Sequence, residues 1–113
     1  MIETPAAALI SERLAALVDF FSIGTNDLIQ YTLACDRQNE NLSSVYNPYH
    51  PAVFKLIEET CKNAHNAGIW VGICGELAAD TSVTSELIEL GADELSVSPP
   101  YVLAVRENIL KSD

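Results

Sequence analysis

Apolar residues recur along the chain in two spacings, and the switch between them marks out the elements. Residues 19–23 (Asp-Phe-Phe-Ser-Ile) are a short apolar run that stops at Gly24, which predicts a buried strand. The period then lengthens: Leu28, Tyr31, Thr32 and Cys35 stand at i, i+3, i+4 and i+7, one face of a helix. A third strand is predicted over 69–74 (Ile-Trp-Val-Gly-Ile-Cys) and a fourth, short one over 94–98, stopped by Pro99-Pro100. The first strand is nearly missing. Met1-Ile2-Glu3 reads as its last residues, and Thr4-Pro5 then opens a helix, with Thr4 as cap and Pro5 at the first helical position.

That first helix is expected to bury Leu9, Ile10, Leu14 and Leu17, with Glu12 and Arg13 on the other face. Further helices are predicted from Pro51 to near Gly68, burying Phe54, Ile57, Cys61 and Ala64, and from Thr81 to Leu90, with Val83, Leu87 and Leu90 inward. Gly91 falls past the end of that helix, and Val102, Val105 and Ile109 mark a closing one. Residues 36–50 lose all periodicity and predict a long loop, of the kind that is functional more often than idle.

Strands alternating with helices imply a parallel sheet. Four βα units with no nucleotide-binding glycine motif point to an α/β fold in which residues 1–113 are about the second half of a (β/α)8 TIM-type barrel. A flavodoxin-like open sheet is the structural competitor. The chain thus reads as a fragment that starts at the end of an element.

Charge narrows the function classes. Sixteen Asp and Glu against six Lys and Arg give a net charge of −10. Nucleic acid and anionic membranes need clustered Lys and Arg, so both are disfavoured as partners, while a divalent cation or a basic protein face suits the charge. Cys35, Cys61 and Cys74 have no zinc spacing. With no signal peptide and no apolar run near the length of a membrane span, the chain reads as cytoplasmic.

In a βα barrel the working residues sit at the C-terminal ends of strands. That rule puts Glu3, Asn26-Asp27, Cys74-Gly75-Glu76 and 96–98 on one rim. Glu3 and Asp27 stand one βα unit apart and could share a cation, two carboxylates being the usual protein share of a Mg²⁺ site. Plain readings compete. Thr25 or Asn26 can cap a helix, Asp27 and Glu76 can favour a helix dipole, and Glu3 can be merely solvated. Cys74 can be a small buried hydrophobe, although Gly72 and Gly75 beside it leave room for a ligand, and a thiol there could move a proton. Arg37 serves this rim only if its helix ends early, since ten helical residues would carry it about 15 Å away. Cys35 and Cys61 read as packing, His50 as a cap and His65 as an exposed helix residue.

Three stretches resemble the phosphoenolpyruvate-utilising enzymes: residues 19–37, with Ser22-Ile-Gly-Thr-Asn-Asp-Leu-Ile-Gln30 at their centre; Met1-Ile-Glu-Thr-Pro5; and Gly72-Ile-Cys-Gly-Glu-Leu-Ala78. Within that family, Tyr31-Thr-Leu-Ala34, Asp36-Arg37, the loop from Asn47-Pro48 to Pro51 and Cys74-Gly-Glu-Leu77 are most similar to the enzyme I branch of the sugar phosphotransferase system. Pyruvate phosphate dikinase and phosphoenolpyruvate synthase share the core motifs. The resemblance implies a phosphoenolpyruvate-binding barrel with Glu3 and Asp27 as Mg²⁺ ligands, Asn26 and Arg37 on the phosphate, and Cys74 protonating the enolate to pyruvate. It implies phosphoryl transfer to a histidine on another domain and on to a phosphocarrier protein. Neither His50 nor His65 matches the phosphohistidine motif, and further phosphate-binding arginines lie upstream in the family. The residues here are expected to be inactive alone, and the open edges of a half-barrel to favour self-association as a homodimer.

Overall fold

The computed structural model describes residues 1–42 and 44–112. Its frame is a parallel sheet of three strands, β1 (Phe20–Gly24), β2 (Trp70–Cys74) and β3 (Glu94–Leu95), in that order. β1 and β2 pair from Phe20 opposite Trp70 to Gly24 opposite Cys74. The stub at the start of the chain joins the outer side of β1: Ile2 bridges Ile23 in parallel, donating to Ser22 O (2.8 Å) and accepting from Gly24 N (2.9 Å). β3 is shorter than its apolar pattern predicts, covering two residues, with Ser96 N–H still reaching Ile73 O at 2.8 Å.

Strand alternation divides the sheet into two unlike faces. Phe21, Ile23, Val71 and Ile73 point the same way and are buried against the helices. On the other face, Phe20 stacks on Trp70 with ring centroids 4.4 Å apart and planes 6° from parallel. That pair stays open to solvent, at 47% and 41% exposure.

Among the described residues seven α-helices accompany these strands. α1 (Pro5–Leu9) begins as expected: Thr4 Oγ1 accepts from Ala7 N (3.1 Å), and Pro5 holds the first position. The expected single helix is broken at Ile10, however, and resumes as α2 (Ser11–Ala15). The expected buried face is also wrong. Leu9, Ile10 and Leu17 are exposed, Leu14 is half-buried, and the inward stripe is Ala8, Ser11 and Ala15. The reason is close packing: Ser11 Oγ donates to Ala8 O (2.7 Å) and accepts from Asn63 Nδ2 (2.9 Å) on α4 (Pro51–Asn66). Only small side chains fit so near a neighbouring helix.

α3 (Thr25–Leu33) follows β1 with no linker. It buries Thr25, Leu28 and Ile29, while Tyr31, expected inward, is 64% exposed. α4 turns the predicted face inward, Phe54, Ile57, Cys61 and Ala64 all being buried, and His50 Nδ1 caps it by accepting from Ala52 N (3.1 Å). Burial, helped by the nearby Asp93 charge, pushes the Cys61 thiol up to about 12, so it packs as a small apolar group. Cys35 is likewise buried. Past the strand ends lie α5 (Glu76–Ala79) and α6 (Thr84–Glu89), in place of one helix from Thr81. Val83 and Leu87 are buried as expected, and Leu90 is half-buried. In α7 (Val102–Lys111) only Val105 is buried, and among the described residues no element covers the face carrying Leu103 and Leu110. No helix among the described residues is long and apolar enough to cross a membrane.

His65, exposed as expected, joins α4 to the start of β3. Its Nε2 lies 2.8 Å from Asp93 Oδ2, which also accepts from buried Val71 N (2.8 Å). Partial burial raises the Asp93 carboxyl's pKa, but the bonds from His65 and Val71 outweigh it and hold the group below its usual range. A depressed carboxylate stabilises the fold above its unfolded pKa, near 3.9, and that contribution fades as pH falls through the folded value. Asp93→Ala is therefore expected to cost about 1–2 kcal/mol at neutral pH, chiefly by leaving Val71 N–H without an acceptor. Asp93→Asn should cost less and flatten the acid side of the profile. Urea melts at pH 7 and pH 3 read both effects.

Candidate functional site

The strand ends carry bonds that run between βα units rather than within them. α3 starts with Gly24 in the cap position, and no side chain caps it. Thr25 and Asn26, which could have capped it, reach sideways instead. Buried Thr25 Oγ1 donates to Cys74 O at 2.6 Å, and Asn26 Oδ1 accepts from Glu76 N at 3.0 Å. The first N–H groups of α3 thus keep their donor capacity. With its oxygen held by Glu76, Asn26 has its amide NH₂ group left to act as a donor.

This cross-link needs Gly75. The residue has φ +94° and ψ −179°, a conformation essentially confined to glycine. A Cβ there would come within 2.5 Å of Thr25 Oγ1 and 3.0 Å of Asn26 Oδ1. Cys74, just before it, is half-buried at the end of β2, with Sγ 3.5 Å from Ile23 O and 3.8 Å from Ser22 Oγ.

Arg37 returns to this rim. α3 ends at Leu33, Ala34 turns left-handed with φ +51°, and Cys35 N–H closes the turn on Gln30 O (2.9 Å). The chain reverses, and Arg37 NH1 reaches Glu76 Oε1 at 3.0 Å. Glu76 is therefore more than the helix-dipole acid of the plain reading: its N–H holds Asn26 and its carboxylate holds Arg37. Tyr46 lies beside the pair, where burial raises its phenol pKa and the Arg37 charge offsets part of the rise. The loop is fastened further on, where Tyr49 OH donates to Asp80 Oδ2 (2.5 Å). That bond raises the Tyr49 phenol, while Ser82 Oγ and Tyr49 together hold the Asp80 carboxyl below its usual range. A small cleft of about 140 Å³ lies among Asn26, Tyr46, Tyr49, Glu76 and Asp80.

The carboxylates stand on neighbouring strand ends. Glu3 follows the bridge residue Ile2 and lies over Gly24, with Oε2 3.0 Å from where a Cβ would be. Asp27 is exposed on the first turn of α3, and its Oδ1 accepts from Gln30 Nε2 at 3.1 Å. Among the described residues no group of three or more His, Cys, Asp or Glu could hold a metal ion. The described residues thus offer a cation here at most two carboxylates. Hard oxygen donors in that number, with the second Asp27 oxygen uncommitted, fit Mg²⁺ completed by water and substrate oxygens and do not fit zinc.

All five expected site residues, Glu3, Asn26, Asp27, Arg37 and Cys74, stand at or return to this rim. Sequence reasoning missed Thr25 and Gln30, whose roles depend on partners across the sheet or beyond a turn. The family model of the PEP-utilising enzymes' PEP-binding domain matches residues 1–113. The chain belongs to the PEP-utilising enzymes. Among its relatives in that family are the phosphoenolpyruvate-protein phosphotransferases of Streptococcus equinus, 51% identical over 113 residues, and of Bacillus subtilis, 50% identical over 111. That of Buchnera aphidicola is 52% identical over 112 residues. These matches cover 98–100% of this chain but 20% of each relative, so the chain spans about a fifth of their length.

Proposed function

We propose that residues 1–113 form one wall of a phosphoenolpyruvate site, in the C-terminal half of a (β/α)8 barrel belonging to a cytoplasmic phosphoenolpyruvate-protein phosphotransferase of the enzyme I type. The return of Arg37 to the strand ends, beside Asn26 and Glu76, carries this reading: it gathers the motif residues from separate βα units at one rim. The barrel is supported by strands that run parallel in sequence order and by a sheet packed against helices on one face and open on the other. The shared name of the relatives favours enzyme I over pyruvate phosphate dikinase or phosphoenolpyruvate synthase.

In this reading the amide of Asn26 and the open N–H groups of α3 donate to the phosphate. Arg37 exchanges Glu76 for a phosphate oxygen, a charge-assisted bond. Cys74 gives its proton to the enolate carbon, yielding pyruvate. Mg²⁺ on Glu3 and Asp27 would supply positive charge as the phosphoryl group departs. The acceptor histidine lies on another domain, which passes the phosphoryl group to a phosphocarrier protein. His50 and His65 are already used, one as a helix cap and one on Asp93. Calorimetry tests the cation contacts. Mg²⁺ is expected to bind the unaltered chain and to lose at least about tenfold in affinity in Glu3→Ala/Asp27→Ala. Equal affinity in the two would sink the site.

The stacked, solvent-open pair Phe20 and Trp70 favours a second property, self-association of the chain through its uncovered sheet face. Light scattering should show a mass that rises with concentration, and Phe20→Ser should shift the rise to higher concentration. A monomer throughout would contradict it.

A further inference from the structure

The side-chain amide of Gln30 sits between two groups that the proposed function uses for different ends. Its Oε1 accepts from Arg37 N at 3.1 Å, and its Nε2 donates to Asp27 Oδ1 at 3.1 Å. Chemistry fixes this orientation. A backbone N–H can only donate and an ionised carboxylate can only accept, so the amide must turn its oxygen to Arg37 and its nitrogen to Asp27. The bonds continue on both sides. Arg37 NH1 reaches Glu76 Oε1 (3.0 Å), Glu76 N–H reaches Asn26 Oδ1 (3.0 Å), and Asn26 is the chain neighbour of Asp27. The result is a closed ring, Asp27–Gln30–Arg37–Glu76–Asn26, tying the carboxylate to the guanidinium.

Helix periodicity alone does not require this arrangement. Gln30 is three residues after Asp27 on α3, so the first bond is an ordinary neighbour contact on a helix surface. The second is not. Arg37 is beyond the end of the helix, and its N–H is available to Gln30 only because the chain reverses at Ala34. The Gln30 amide therefore sets where the chain emerges from the turn relative to the first turn of α3, and with it the reach of the Arg37 side chain.

We propose that Gln30 is a positioning residue that couples Asp27 to Arg37, so that a cation drawing on the Asp27 carboxylate is felt at Arg37, and an anion drawing on Arg37 is felt at Asp27. The inference rests on the reading of Asp27 as a cation ligand and Arg37 as a phosphate contact. A cation that takes electron density from Asp27 Oδ1 weakens the bond from Gln30 Nε2 and frees the amide to shift. The Arg37 backbone follows its oxygen, and the ion pair with Glu76 loosens in the direction that presents the guanidinium to phosphate. Glutamine suits this place because one planar group supplies both a donor and an acceptor. Glutamate would repel Asp27, and methionine of similar length would offer neither bond.

Backbone amide NMR on the chain tests this in two steps, with Gln30→Met as the variant at a half-exposed site where the apolar chain fits. Without any ligand, hydrogen exchange at the Arg37 amide is expected to speed up about tenfold in Gln30→Met, while the amides of Leu28 and Ile29 keep their rates. An unchanged Arg37 rate overturns the coupling, whether or not the chain binds metal. With Mg²⁺ added to the unaltered chain, the amides of Asp27, Leu28 and Arg37 are expected to shift with one midpoint. In Gln30→Met, Asp27 and Leu28 should still shift, while the Arg37 shift falls at least about fivefold. A purely structural glutamine would leave the Arg37 shift unchanged relative to that at Leu28, and that result overturns the proposal. Absence of any Mg²⁺ shift at Asp27 in the unaltered chain instead overturns the cation reading, and the coupling with it. Gln30→Ala, judged by the same ratios, guards against an effect peculiar to methionine.

Discussion

Gly75→Ala is expected to destabilise the chain by about 3 kcal/mol and to open the strand-end site, although it adds one methyl group. Two costs act together. The backbone at φ +94°, ψ −179° lies where side-chain-bearing residues almost never sit, worth about 1–3 kcal/mol of strain. The new Cβ would also stand 2.5 Å from Thr25 Oγ1, an oxygen already fixed at 2.6 Å from Cys74 O. Thr25 is wholly buried and cannot swing into solvent. Either its bond to β2 breaks, leaving a buried hydroxyl without a partner at about 1–3 kcal/mol, or the two strand ends separate. Both routes also displace Asn26, whose oxygen would be 3.0 Å from the same Cβ. Urea denaturation reads the stability loss, and the Glu76 amide resonance reads the loss of its bond to Asn26. Gly68→Ala is the fitting contrast. It too has positive φ, but nothing lies within 4 Å of its Cβ position, so it should show strain without the second cost.

The second large effect is expected at Cys74, in a phosphotransferase whose matching segment is replaced by residues 1–113. Cys74→Ala should lower pyruvate release by about 10²–10⁴, the usual worth of a positioned proton donor. The thiol is half-buried at the end of β2, with weak contacts to Ile23 O and Ser22 Oγ that leave it free to reorient. Cys74→Ser separates proton transfer from packing. A serine hydroxyl fills nearly the same space but is a far weaker acid, so it should rescue stability and not turnover. Mg²⁺ affinity should be unchanged in both, since the carboxylates lie on other strand ends. Full turnover in the serine variant would remove Cys74 from the proton path.

What the sequence disclosed depended on how local the governing interaction is. Strands at 20–24 and 70–74 and the long helix at 51–66 were legible because their apolar periods report burial on one face. The caps at Thr4 and His50 were legible because a cap bonds within its own turn. Leu9, Ile10 and Leu17 misled because helical spacing does not say which stripe a neighbour takes, and α4 took the small residues Ala8, Ser11 and Ala15. The spacing of Val102, Val105 and Ile109 did announce the closing helix, although of the three only Val105 is buried. Within the site, strand ends located Glu3, Asp27 and Cys74. Arg37 could be brought there only by the turn at Ala34, an alanine in a left-handed conformation that no residue preference announces. Thr25 and Gln30 were invisible as site residues because each bonds to a partner far along the chain or beyond a turn.

In the proposed function these 113 residues supply the cation contacts and part of the phosphate contacts of a phosphoenolpyruvate site. The most direct measurement replaces the matching segment of the Streptococcus equinus phosphotransferase, to which the chain is 51% identical throughout, with residues 1–113 and follows Mg²⁺-dependent pyruvate release from phosphoenolpyruvate. Turnover is expected within about tenfold of the unaltered relative, with a loss of at least about 10³ when Asp27→Asn is added. A folded chimera without turnover, or one that turns over equally well with Asp27→Asn, would contradict it.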